Sequence, residues 1–227
     1  GDPFTVDSDL AGVTESERYQ VSLHFTKDLG WATTKSISSY QSWDMGPQTV
    51  DLDFTNSDLF PVFALASNIA QRQTLRTKEF RLQSPDGSGP LAWRTGLFYM
   101  KKENTGNTGR QFPVPAPVPL GFVPFTERVN FGIQQESFAA YGKFNYELGN
   151  GFAVDAGARI ELVEARLDRA KEVPPQNLSD NRDEVYFSPT VGASYVVGET
   201  LTAFARSGLG IKPHGYTAFS DDLNTAR

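Results

Sequence analysis

The sequence predicts an all-β protein: an antiparallel, up-and-down transmembrane β-barrel section of about eight strands, with short periplasmic turns and long extracellular loops. Three observations predict it. Residues 138–162 alternate between two kinds of side chain over two unusually long arms. Short and long connections alternate along the chain. No run approaches the 18 consecutive apolar residues of a membrane-spanning helix, so crossing by helix is excluded and crossing by strand is not.

The alternation is clearest in residues 138–162. One set is Phe138, Ala140, Gly142, Phe144, Tyr146 and Leu148, then Phe152, Val154, Ala156, Ala158, Ile160 and Leu162. The interleaved set includes Ser137, Tyr141, Lys143, Asn145, Glu147, Asp155, Arg159 and Glu161. Strand side chains alternate faces, so this is a ribbon with one apolar and one charged side. Gly149-Asn150-Gly151 supplies the positive φ angles of a tight hairpin. Arms of about 10 to 13 residues exceed the usual soluble strand of roughly 5 to 6 and suit a tilted membrane strand.

The other elements follow the same rule in chain order. Val21, Leu23 and Phe25 alternate with Gln20, Ser22, His24 and Thr26, and Asp28-Leu29-Gly30 turns into a strand expected over about 31–43. Residues 78–84 put Phe80 and Leu82 opposite Glu79, Arg81 and Gln83, ending at the turn Pro85-Asp86-Gly87-Ser88-Gly89. A strand over about 91–101 places Trp93, Leu97 and Tyr99 on one face. Phe187, Pro189, Val191, Ala193 and Tyr195 alternate with Ser188, Thr190, Gly192 and Ser194, and a turn near Gly198-Glu199 returns the chain over about 201–210. The remaining connections, about 46–76, 103–133 and 170–183, are long and rich in Pro, Asn and Asp. Transmembrane barrels have this asymmetry and soluble sandwiches do not. Aromatics near strand ends (Tyr40 and Trp43, Tyr99, Phe138 and Tyr141, Tyr146 and Phe152, Tyr186 and Phe187, Tyr195) fit a girdle at headgroup level, although strands favour aromatics anyway.

Composition narrows the function classes. The chain has 227 residues and a net charge of −6, which argues against nucleic-acid binding through bulk charge. Hydrophobic residues make up only 39%, yet there are 17 Phe and 8 Tyr, as expected when only half of each strand meets lipid. With no cysteine, disulfide frameworks and Cys-based zinc or redox sites are excluded. The start, Gly1-Asp2-Pro3, carries no basic and apolar signal pattern, so the chain is expected to be an excerpt or a processed product.

Several segments resemble the barrel of TonB-dependent outer-membrane receptors of the iron-complex (siderophore) kind: residues 34–40 (Thr-Lys-Ser-Ile-Ser-Ser-Tyr), 77–85 (Thr-Lys-Glu-Phe-Arg-Leu-Gln-Ser-Pro), 91–99 (Leu-Ala-Trp-Arg-Thr-Gly-Leu-Phe-Tyr) and 156–161 (Ala-Gly-Ala-Arg-Ile-Glu). Residues 204–216 are similar to the strand and loop preceding a later pair in such barrels, and the resemblance spans roughly 17–219. It implies localisation in the outer membrane of a Gram-negative bacterium, contact with outer-membrane lipid, and active uptake of a ferric siderophore or another large solute. It also implies that a TonB complex acts through a plug domain. Family members close about 22 strands around that plug. No plug, TonB-contacting segment or aromatic-terminated last strand is recognisable here, so residues 1–227 are expected to be an internal section of the barrel domain.

If the apolar faces meet lipid, Arg81, Lys143, Arg159, Glu161 and Arg206 point into the lumen. The resemblance implies that such charges pair with the plug and line the solute path; the simpler reading is that they only solvate the interior. No enzyme is expected: nucleophile-elbow and phosphate-loop patterns are missing, and no catalytic, cofactor or metal residue is assigned. His24 and His214 are far apart in sequence, with His24 on the polar side of its strand. Asp51-x-Asp53-x-Thr55 with Asp58 weakly resembles a calcium loop but lacks its glycine and closing Glu, so a solvated loop is favoured. Residues 112–119 read as a polyproline rod, and 59–72 as a short helix within its loop. Two other classes remain: a small complete outer-membrane barrel serving as pore or adhesin, and a soluble β-sandwich module whose apolar faces pack together.

Overall fold

The computed structural model describes residues 12–51, 66–115, 122–198 and 200–218. They form one eight-stranded sheet: β1 (Val13–Asp28), β2 (Thr33–Asp51), β3 (Ala66–Gln83), β4 (Leu91–Pro115), β5 (Phe122–Gly149), β6 (Phe152–Lys171), β7 (Gln176–Val197) and β8 (Leu201–Gly208). Every strand pairs antiparallel with its sequence neighbours, in the order β1 to β8, and β1 does not meet β8. The eight strands are therefore an open section of wall. A complete eight-stranded barrel would need β1 and β8 to pair. A sandwich would need a second sheet over the apolar face. Neither is present among the described residues, and both alternatives fall.

Register fixes which residues share a face. Tyr99 aligns with Phe138, Phe138 with Leu162, and Leu162 with Val185. This apolar face is open: Val21 is 64% exposed, Leu23 72% and Val185 63%. The opposite face holds Ser137 at 3% and Ala139 at 0% exposure. Water-soluble folds hide their large apolar side chains, at roughly 1.5–3 kcal/mol per fully buried residue, and this one presents them outward. On β5 the apolar stretch from Phe138 to Leu148 covers ten residue steps, about 33 Å along the strand. At a tilt of about 40° that is a band about 25 Å tall, the height of a barrel's lipid-facing belt.

Aromatic rows edge this band. On one side Tyr19 and Tyr40 stand 5.8 Å apart; on the other, Trp31 stacks on Trp93 at 6.4 Å and Phe152 meets Tyr195 at 6.1 Å. Not all the aromatics expected in the girdle belong to it. Trp43 lies on the polar face, where its Nε1 donates to Ser16 Oγ at 2.8 Å, and Tyr141 and Tyr186 are on that face too. An aromatic's position along the chain does not reveal its parity; the register does.

The strands run far past the band on one side. β5 has 28 residues and β4 has 25. Stretches expected as long connections are therefore largely strand: 46–51 ends β2, 66–76 opens β3, 103–115 and 122–133 are paired in β4 and β5, and only 172–175 separates β6 from β7. Thus the asymmetry between the two ends survives mainly as a difference in reach. The helix expected over 59–72 is strand from Ala66 onward, because β3 finds both β2 and β4 to pair with; 59–65 lies outside the described residues. The polyproline reading fails at Phe112 to Pro115, which pair with Phe122 to Phe125, while 116–119 lies outside the described residues. Asp51 ends β2, and Asp53, Thr55 and Asp58 are not described. At the opposite ends the turns are short, with Gly149, Asn150 and Gly151 at φ of 89°, 53° and 78° as the sequence predicts.

Candidate functional site

The polar face carries two adjacent rows of charge. One row runs through Lys35, Arg81, Gly96, Tyr141 and Arg159; the next through Ile37, Glu79, Phe98, Ala139 and Glu161. Each arginine pairs with the acid two residues along its own strand, Arg81 Nη2 to Glu79 at 2.8 Å and Arg159 Nη2 to Glu161 at 3.0 Å. Residues at i and i+2 share a face, so the strand period itself builds these pairs. Tyr141 Oη bonds Glu79, and Arg81 Nε donates to Tyr141 Oη at 3.2 Å. The guanidinium of Arg159 sits 5.2 Å above the ring of Phe98. Arg81–Tyr141 and Arg159–Phe98 each span an intervening strand, and Gly96 between the first pair has no side chain in the way.

A second centre lies nearer the short turns. Asp155 is held by Arg206 at 2.9 Å and by Lys143 at 3.8 Å. Gly192 gives the carboxylate room, since a Cβ there would stand 2.7 Å from Asp155 Oδ1. A third centre lies at the far end, where residues 209–218 leave β8 and cross over β6 and β7. Tyr186 Oη donates to Glu184 at 2.5 Å and lies 2.9 Å from His214 Nδ1, and the His214 backbone N–H donates to Tyr186 Oη at 3.2 Å. Tyr216 donates to Asp180 at 3.0 Å, and Arg169 Nε to the Ala218 carbonyl at 3.1 Å. Outward on the overrunning strands, Asp44 and Glu164 raise the pKa values of Arg72 and Arg166 through hydrogen bonds and charge.

All five residues singled out from the sequence lie on this polar face. Arg159 and Glu161 pair with each other, Lys143 and Arg206 share Asp155, and Arg81 stands in the neighbouring network. Sequence reasoning missed Glu79, Tyr141, Phe98 and Asp155 as partners. Alternation places Glu79, Asp155 and Tyr141 on this face, but only register shows what they meet. His24, on β1 with Ser22 Oγ at 2.6 Å, and His214, over β7, are not brought together. Among the described residues no group of three or more His, Cys, Asp or Glu could hold a metal ion.

Comparison with known proteins agrees with this geometry. The family model described as "TonB dependent receptor-like, beta-barrel" matches residues 1–226. Similar solved structures include the ferric yersiniabactin uptake receptor FyuA from Yersinia pestis (TM-score 0.71, 15% identity, 86% of this chain and 28% of that one). The ferric-catecholate import receptor Fiu from E. coli K12 in its open form gives a TM-score of 0.64 at 13% identity, over 92% of this chain and 37% of that one. The siderophore receptor PiuA from Acinetobacter baumannii gives 0.64 at 13%, over 86% and 32%. The chain thus spans about a third of the length of these structures.

Proposed function

This chain belongs to the TonB-dependent receptor β-barrel family of the Gram-negative outer membrane, and on that premise we propose that residues 1–227 are part of the barrel wall of an active-transport receptor for ferric siderophores. The family is one of receptors rather than enzymes. In this reading the apolar face meets lipid, the polar face lines the lumen, and a plug domain fills that lumen and is pulled by the TonB complex.

The observation that carries the reading is the charge balance of the polar face. In these rows Lys35, Arg81, Arg94, Lys143, Arg159 and Arg206 stand with four carboxylates, Asp28, Glu79, Asp155 and Glu161. No carboxylate pairs with Lys35 or Arg94 among the described residues. A lumen with surplus positive charge suits acidic side chains of a plug, and it attracts an anionic iron complex. Arg81, Arg159 and Glu161, each already paired, are assigned to shaping the wall; Lys143 and Arg206, more exposed, are assigned to the plug or solute.

The test is uptake by the complete protein in iron-starved cells lacking other receptors. Accumulation of labelled iron from ferric siderophores, abolished when TonB is deleted, is expected. TonB-dependent accumulation of haem, cobalamin or a sugar instead would overturn the substrate while leaving the receptor class intact.

A further inference from the structure

The outward surface of β3 and β4 departs from the rest of the apolar face. The row Leu23, Ser38, Lys78, Tyr99, Phe138, Leu162 is the last of the band before the strands overrun it, and Lys78 is its one cation. In the next row outward, Arg76 stands between Tyr40 and Lys101. Arg76 and Lys78 are both exposed. The Arg76 guanidinium lies 5.8 Å above the Tyr40 ring. Among the described residues neither cation pairs with a carboxylate. The neighbouring charges are already engaged: Lys101 with Glu103 at 3.2 Å, Arg72 with Asp44 at 2.6 Å, and Glu136 with the Tyr99 hydroxyl at 2.5 Å.

A cation on a lipid-facing row is unfavourable unless an anion meets it, and least so at the headgroup level. Two such cations, two residues apart on one strand and set between two tyrosines, form a site for a dispersed anionic oxygen group. Arg presents a fork that matches phosphate, and Lys adds a point charge beside it. We propose that Arg76 and Lys78, flanked by Tyr40 and Tyr99, bind the phosphate of a lipid headgroup in the leaflet on the side where the strands overrun the band. The site lies on the outer wall, independent of what the lumen carries. It anchors the wall to the surrounding lipid.

The test uses the complete receptor, wild type and R76Q/K78Q, in maltoside micelles, which carry no phosphate, with or without a phosphorylated glycolipid. A K27Q variant, at the other end of the outward face on β1, serves as control. Folding of each variant is checked by the heat-induced mobility shift of its barrel. Each basic side chain at an anionic surface strengthens binding about fivefold, so the double variant should bind the phosphorylated glycolipid about 25-fold more weakly. That difference should shrink as salt rises, K27Q should match wild type, and the dephosphorylated glycolipid should not distinguish the proteins. Equal binding of the phosphorylated lipid by folded R76Q/K78Q and wild type would overturn the site. Equal discrimination with the dephosphorylated lipid would overturn the ligand, and so would saturation of the site by inorganic phosphate alone at millimolar concentration.

Discussion

A Cβ placed on Gly96 would stand 2.6 Å from the Tyr141 hydroxyl. Gly96 is Tyr141's register partner on the adjacent strand, and Arg81 is the partner of Gly96 on the far side. The absent side chain is what lets the tyrosine ring lie across β4 and reach Glu79 and Arg81 on β3. Glycine is needed here for space, since its φ is unexceptional.

Gly96→Ala should therefore push Tyr141 off Glu79 and destabilise the wall by about 1–3 kcal/mol, the usual range for overpacking. Thermal unfolding of the complete protein reads this out. Tyr141→Ala in the same background should recover part of the loss, because the clash is with that side chain. A second clash, with the Phe80 carbonyl at 2.7 Å, limits the recovery.

Asp155 serves two cations, so Asp155→Asn should be more damaging than Lys143→Gln or Arg206→Gln. A double-mutant cycle between Asp155 and Arg206 should give a coupling of about 0.5–3 kcal/mol, as for contacting residues, and a smaller one between Asp155 and Lys143, whose contact is longer.

Val191 and Thr190 are neighbours on β7 with opposite outlooks. Val191→Arg places a charge near the middle of the apolar band and should cost about 2–4 kcal/mol in a bilayer. Thr190→Arg points into the polar face and should cost far less. Urea unfolding in vesicles measures both.

Much of this organisation is legible in the amino-acid sequence. Alternation at Phe138–Leu148 and Phe152–Leu162 gave strand, face and hairpin at once, because a period of two and a Gly-Asn-Gly turn have few other outcomes. The overrunning strands were hidden for a physical reason. Beyond the band both faces of β4 and β5 meet polar surroundings, so Lys101, Lys102, Glu103 and Asn104 follow one another without alternation and look like loop. The Asp155 centre was hidden differently: Lys143 and Asp155 share the β5–β6 hairpin, but Arg206 lies 51 residues beyond Asp155, and only the pairing of β6 through β8 brings it in.

Tyr186 holds the crossing segment 209–218 by two contacts to His214. Tyr186→Phe should speed amide hydrogen exchange in that segment while leaving β6 and β7 protected, since the strand ladder does not depend on the hydroxyl.

The orientation of the two faces is open to direct measurement, because the section contains no cysteine and single spin labels can be placed at will. Labels stepped through residues 185–195 of the complete protein in a bilayer should alternate. Oxygen, which partitions into lipid, should relax labels at 185, 187, 191 and 195, and a water-soluble nickel complex should relax those at 186, 188, 190 and 194. The inverse pattern, or an even response along the strand, would contradict a lipid-covered apolar face.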